Sequence, residues 1–138
     1  MKSWKSRPVL LPSSGYLVTR DEFDTFFAAL PAATHVVQWG NASVWKVGGK
    51  IFAICSSWGS EGDYRINFKC SDMSYSLLTQ QDGINPAPYL ARAKWVRIEN
   101  PHALDDEAIE AYITAAHKII ASKLTRKLRN DLGLTNLL

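Results

Sequence analysis

Val44-Trp45-Lys46-Val47-Gly48-Gly49-Lys50-Ile51-Phe52-Ala53-Ile54-Cys55 is the stretch that decides the fold. Two apolar-rich runs flank a Gly-Gly pair, and only glycine enters the positive-φ positions of a two-residue hairpin turn without steric cost. The spacing predicts an antiparallel hairpin of 44–47 with 50–56, and a two-residue loop sets Trp45 opposite Phe52. Beyond it, Tyr64, Ile66 and Phe68 alternate with Arg65, Asn67 and Lys69. That period of two marks a strand over 64–70 with one face on a core and the other toward water. Shorter strands are expected at 36–39 and 94–99.

Helices bracket these strands. Thr19-Arg20-Asp21-Glu22 forms a capping box, after which Phe23, Phe26, Phe27 and Leu30 share one helical face until Pro31 ends it. Asp21, Glu22 and Asp24 complement the dipole of its first turn. A second helix is predicted over 71–81, capped by Ser71 or Asp72, with Leu77 and Leu78 inward. The stretch 82–93, rich in Gly and Pro, is expected to be a loop. Asp105 is a good N-cap for the longest helix, in which Ile109, Tyr112, Ile113, Ala116, Ile119 and Ile120 recur at helical spacing to about Leu124. A last short helix, 125–132, stops at Gly133. Pro8, Pro12, Ser13, Ser14 and Gly15 punctuate residues 1–18, an extension with little regular structure. Residues 19–133 form a single domain, and 134–138 are a tail.

With 138 residues, of which 46% are hydrophobic and 21% charged, the chain has the profile of an ordinary globular protein with one core. No apolar run approaches the roughly 20 residues that span a bilayer. Near the N-terminus the apolar patch is only Val9-Leu10-Leu11 between two prolines, too short for a signal-peptide core, so the expected compartment is the cytoplasm without membrane attachment. The hairpin register sets Cys55 opposite about Tyr64 and Cys70 near Gly49. Such a separation exceeds the roughly 4–7 Å between Cα atoms that a disulfide tolerates, so both thiols are expected to be reduced.

Two further segments bear on the class. The Val47-Gly48-Gly49-Lys50 turn with Ile51-Phe52-Ala53, and Pro88-Tyr89-Leu90 with Lys94-Trp95-Val96, resemble the MmcQ/YjbR proteins, a small bacterial family, over about 19–132. The resemblance implies an α+β, CyaY-like (frataxin-like) fold: a twisted antiparallel sheet with helices packed on one face, covering Ile66, Phe68, Val96 and Ile98. It also implies DNA binding without catalysis, and it carries over no catalytic residue.

The residues themselves nominate no chemistry. His35 and His102 fall in predicted loops and His117 on the long helix, none at metal-ligand spacing from another. Cys-x-x-Cys and His-Glu-x-x-His are both absent, and no Ser or Cys is paired with an evident base. Gly48-Gly49-Lys50 lacks the spacing of a phosphate loop and leads into a strand. Frataxins bind iron along an acidic ridge, but Asp21, Glu22 and Asp24 are too few oxygen donors for a hard cation. The expectation is a non-enzyme with no metal and no cofactor.

Charge is more informative than its total of +3 suggests. From Lys118 to Arg129 run Lys118, Lys123, Arg126, Lys127 and Arg129 with no acid between them, whereas Asp105, Asp106, Glu107 and Glu110 open the same helix. The helix dipole favours that polarity on its own. Alternation adds Arg65, Asn67 and Lys69 on one strand face, and Trp95 with Arg97 on one side of the last strand. A face that mixes cations with an aromatic suits phosphate-backbone tracking. The candidate DNA contacts are therefore Arg65, Lys69, Arg92, Lys94, Arg97, Lys123, Arg126, Lys127 and Arg129, acting on phosphates without base specificity. The alternative is a protein-interaction or small-ligand domain with an apolar pocket lined by Trp39, Trp45, Trp58, Tyr89 or Trp95.

Overall fold

Gly48 and Gly49 turn the chain at φ +58° and +83°, the pair of left-handed conformations that a two-residue hairpin demands. They join strand β2 (Ala42–Val47) to strand β3 (Lys50–Ser56), which run antiparallel. The computed structural model describes residues 20–38, 42–56, 65–88, 90–100 and 103–134. Val47 pairs with Lys50 and Lys46 with Ile51, as the turn dictates. Then the register slips by one residue, and Trp45 pairs with Ala53. The expected Trp45–Phe52 pair does not form, because Phe52 is the extra residue of a β-bulge. The bulge lets the consecutive Phe52 and Ala53 both enter the core, which strict alternation would forbid.

The other strands build a six-stranded antiparallel sheet in the order β1-β2-β3-β4-β6-β5. Strand β1 (Ala33–Gln38) is longer than expected and carries His35, which is therefore in a strand and not a loop. Strand β4 (Arg65–Lys69) sets Ile66 against Cys55 and Phe68 against Ala53. Cys55 thus pairs with Ile66, two positions along the sequence from the expected Tyr64, which is outside the described residues. Between the second helix and strand β6 (Trp95–Ile98) is a strand that the sequence did not reveal, β5 (Ile84–Pro86). Three residues ending in proline carry almost no pattern, and only an edge strand tolerates that proline.

Helix α1 (Arg20–Ala28) buries Phe23 and Phe27, with Phe26 and Leu30 packed at the margin. Its Thr19 cap and the side chains of Asp21 and Glu22 lie outside the described residues. Helix α2 (Asp72–Leu78) starts at Ser71, whose hydroxyl accepts from the Ser74 N–H at 3.1 Å. It buries Leu78 but leaves Leu77 55% exposed, against the expectation that both turn inward. Adjacent residues lie about 100° apart on a helix, and a seven-residue helix buries only a narrow stripe.

Helix α3 (Asp106–Ser122) begins as expected at Asp105, whose carboxylate accepts from the Ala108 N–H at 2.8 Å. It lies across β3 and β4: Tyr112 stacks on Phe68, and His117 meets Phe52 edge-on. Ile66, Phe68, Val96 and Ile98 share this covered face, since Ile66 pairs with Ile98 and Phe68 with Val96. Helix α4 (Arg126–Asp131) is capped by Thr125 and ends before Gly133 at φ +75°.

Candidate nucleic-acid interface

Strand register decides what the opposite sheet face presents. Asn67 pairs with Arg97 and Lys69 with Trp95, so the two predicted polar sides do coincide. Arg97 Nε donates to Asn67 Oδ1 at 3.0 Å, and the guanidinium is 4.0 Å from Glu99. Burial disfavours the charged form of Arg97, Glu99 counters this, and nearby Arg65 adds to it. Trp95 is only 6% exposed, so it packs and offers no open stacking platform. This face holds its guanidinium in place and displays it little.

The sheet end beyond Lys69 is different. Lys69 closes β4, and Lys94 stands just before β6 on the neighbouring strand. Lys123 caps the C-terminus of α3, and the following Leu124 packs over Gly48 at the hairpin turn. Three elements thereby deliver three ammonium groups to one end of the sheet. The Lys69 pKa is lowered first by burial and next by Lys123, with a smaller push from Lys94; Cys70 and Asp72 oppose these. Its Nζ donates to the Ala93 carbonyl. Lys94 adopts the left-handed conformation at φ +64°, which costs a side-chain-bearing residue about 1 kcal/mol. That conformation follows a 3-10 turn over Ala91–Ala93 and places the ammonium 4.8 Å from the Tyr75 ring centroid. The Lys94 carbonyl accepts from the Cys70 N–H at 3.0 Å, tying the turn to β4. Arg92, in the same 3-10 turn, is exposed.

Helix α4 supplies less than its charge suggests. Arg126 is exposed, but Lys127 pairs with Asp131 at 3.0 Å. Arg129 donates to the carbonyls of Leu124 at 2.6 Å and Ser122 at 3.3 Å, satisfying the end of α3. The nine predicted cations therefore divide. Lys69, Lys94 and Lys123 converge with Arg92 nearby, Arg65 and Arg97 sit on the sheet face, Arg126 is exposed on α4, Lys127 is paired with Asp131, and Arg129 is a helix-end clamp. Sequence spacing could not show that Lys69, Lys94 and Lys123 meet, because the pairing of β4 with β6 brings together residues 25 apart.

Other candidates resolve into packing. Trp45 is buried against Phe27, and Trp39, Trp58 and Tyr89 of the suggested aromatic pocket lie outside the described residues. A depression of about 470 Å³ lies over α3, lined among the described residues by Glu107, Glu110, Ala111, Thr114, Ala115 and Lys118, with no aromatic. His117 is buried, its Nε2–H donating to the Pro31 carbonyl at 2.7 Å; burial lowers its pKa, and that hydrogen bond partly restores it. His102 lies outside the described residues. Cys55 and Cys70 are buried thiols not joined in a disulfide, and burial pushes the Cys70 thiol up to about 11. Among the described residues no cluster of three or more His, Cys, Asp or Glu could hold a metal, and no helix is long and apolar enough to cross a membrane.

A six-stranded antiparallel sheet with helices laid on one face and a basic end defines a small α+β protein. The chain belongs to the YjbR family, whose model matches residues 28–119. Its fold is similar to the crystal structure of a protein from Pseudomonas syringae, a structural-genomics target. The TM-score is 0.62 at 16% identity, over 75% of this chain and 99% of that one. No curated protein matches the sequence.

Proposed function

We propose that the protein is a non-enzymatic DNA-binding domain that contacts phosphates in the cytoplasm. The observation that carries this reading is the convergence of Lys69, Lys94 and Lys123 from three elements on one end of the sheet. Evenly spread cations would minimise mutual repulsion, whereas an anionic backbone offsets the repulsion of a cluster. Arg92 widens the cluster toward solvent, and Arg126 extends it along α4. Arg65 and Arg97 lie on the adjoining sheet face. The contacts proposed are to phosphates, which position a protein on DNA without reading its sequence.

The test is a titration against generic duplex and single-stranded DNA at several salt concentrations. Affinity falls linearly on a log–log plot as counterions are released. Replacing Arg92 and Lys123 together by Ala makes that line shallower by roughly two units and weakens all sequences alike. Absence of measurable affinity at low salt would remove the proposal.

A further inference from the structure

The two edges of the sheet are unlike. β5, at one edge, is three residues long and ends in Pro86, which has no N–H to offer. Short edges with proline resist pairing with other chains. β1, at the other edge, has six residues, Ala33-Thr34-His35-Val36-Val37-Gln38, without proline, lysine, arginine or acid. Among the described residues no strand pairs with its outer side. Val36 and Val37 are 40% and 55% exposed, although they lie in a regular strand beside the fully buried Val44. Such an edge has one natural complement, an extended backbone.

We propose that β1 pairs antiparallel with β1 of a second copy, across a two-fold axis perpendicular to the sheet, joining the two sheets into one. That symmetry keeps residues of the same sheet face opposite one another. In the register centred on Val36, Val36 meets its own copy, Val37 meets His35, and Thr34 meets Gln38. Each exposed valine then gains an uncharged partner, and no like charges meet although each copy carries +3. Two strands, β2 and β3, separate β1 from β4, so Lys69, Lys94 and Lys123 stay open on each copy. It depends only on the edge and holds whether or not DNA is bound.

The test is sedimentation equilibrium of the full chain over a wide concentration range, with Val36→Lys and Val36→Glu variants. The expected wild type is a reversible dimer. Each variant alone dimerises at least tenfold more weakly, because like charges face each other on the axis, and an equimolar mixture of the two recovers. Thermal unfolding of the dilute variants checks that they fold. If they do not, hydrogen exchange of the wild type decides: protection of β1 amides that rises with concentration supports the pairing, and unchanged protection overturns it. A monomer at every attainable concentration, a dimer indifferent to Val36→Lys, or a mixture that fails to recover would each overturn it, as would a monomer whose β1 instead captures an extended peptide.

Discussion

Asp24 on α1 accepts a 2.9 Å hydrogen bond from the indole Nε1 of Trp45 on β2, and a second, at 3.1 Å, from the Ser43 hydroxyl. The carboxylate thus fastens the first helix to the sheet at a tryptophan that is 4% exposed. In the sequence Asp24 looks like a first-turn acid that complements a helix dipole, an effect worth at most about 1 kcal/mol at an exposed site. A charge-assisted bond to a buried indole contributes more, because losing it leaves the Nε1–H buried without its partner. Asp24→Ala should therefore lower stability by about 2 kcal/mol, read from urea unfolding, and Asp24→Asn, which keeps an acceptor, by under about 1 kcal/mol. Equal, small losses from both would return Asp24 to the dipole role.

The hairpin turn makes a sharper distinction. Gly48 and Gly49 both have positive φ, so alanine at either is strained. Only Gly48 is also crowded: a Cβ there would come within 2.6 Å of Leu124 Cδ1, whereas one at Gly49 meets nothing within 4 Å. Gly49→Ala should cost about 1 kcal/mol, and Gly48→Ala more, because Leu124 must move from its place over the turn. Thermal unfolding of the two variants tests the order. If Gly49→Ala proves the more damaging, Leu124 does not rest on the hairpin as described.

Much of the fold is written in local signals. Gly48-Gly49, Ser71, Asp105 and Thr125 mark a turn and three helix starts where the chain makes them, since each acts through backbone groups two or three residues away. What escaped depends on distant packing. The bulge at Phe52 serves the ring's contacts with Phe27 and His117, which no local pattern encodes. For the candidate site, composition identified the cations but not their company. Arg129 reads as a free surface charge, yet it holds the last carbonyls of α3. Replacing Arg126, Lys127 and Arg129 together would consequently disturb folding as well as charge, and it is a poor probe of binding.

His117 gives the stability a pH dependence whose sign is fixed. Burial holds its folded pKa below the ordinary 6.5, with the Pro31 hydrogen bond opposing only in part. As pH falls, the unfolded chain therefore takes up this proton first. The contribution is complete above about pH 6.5, declines as the pH drops toward the folded value, and then levels off. His117→Gln, which can still donate to the Pro31 carbonyl, should flatten the slope of stability against pH between about 7 and 5. Urea midpoints across that range measure it, and an unchanged slope would assign the pH dependence to other groups.

Lys94 allows stability and binding to be separated at one position. Its left-handed backbone favours glycine by about 1 kcal/mol, while the contact with Tyr75 contributes about 0.5 kcal/mol in the other direction. Lys94→Gly should accordingly leave the protein as stable as before or slightly more so. Lys94→Ala keeps the strain and loses the contact, and should destabilise by about 0.5 kcal/mol. Both remove the same ammonium from the cluster with Lys69 and Lys123. If that cluster meets DNA phosphates, both variants bind more weakly and their salt dependence becomes shallower by about 0.9 unit, irrespective of DNA sequence. A binding loss that instead tracked stability, present in Lys94→Ala and missing in Lys94→Gly, would show that the fold and not the charge had been probed. Unchanged affinity and slope in both variants would place the DNA contact elsewhere on the molecule.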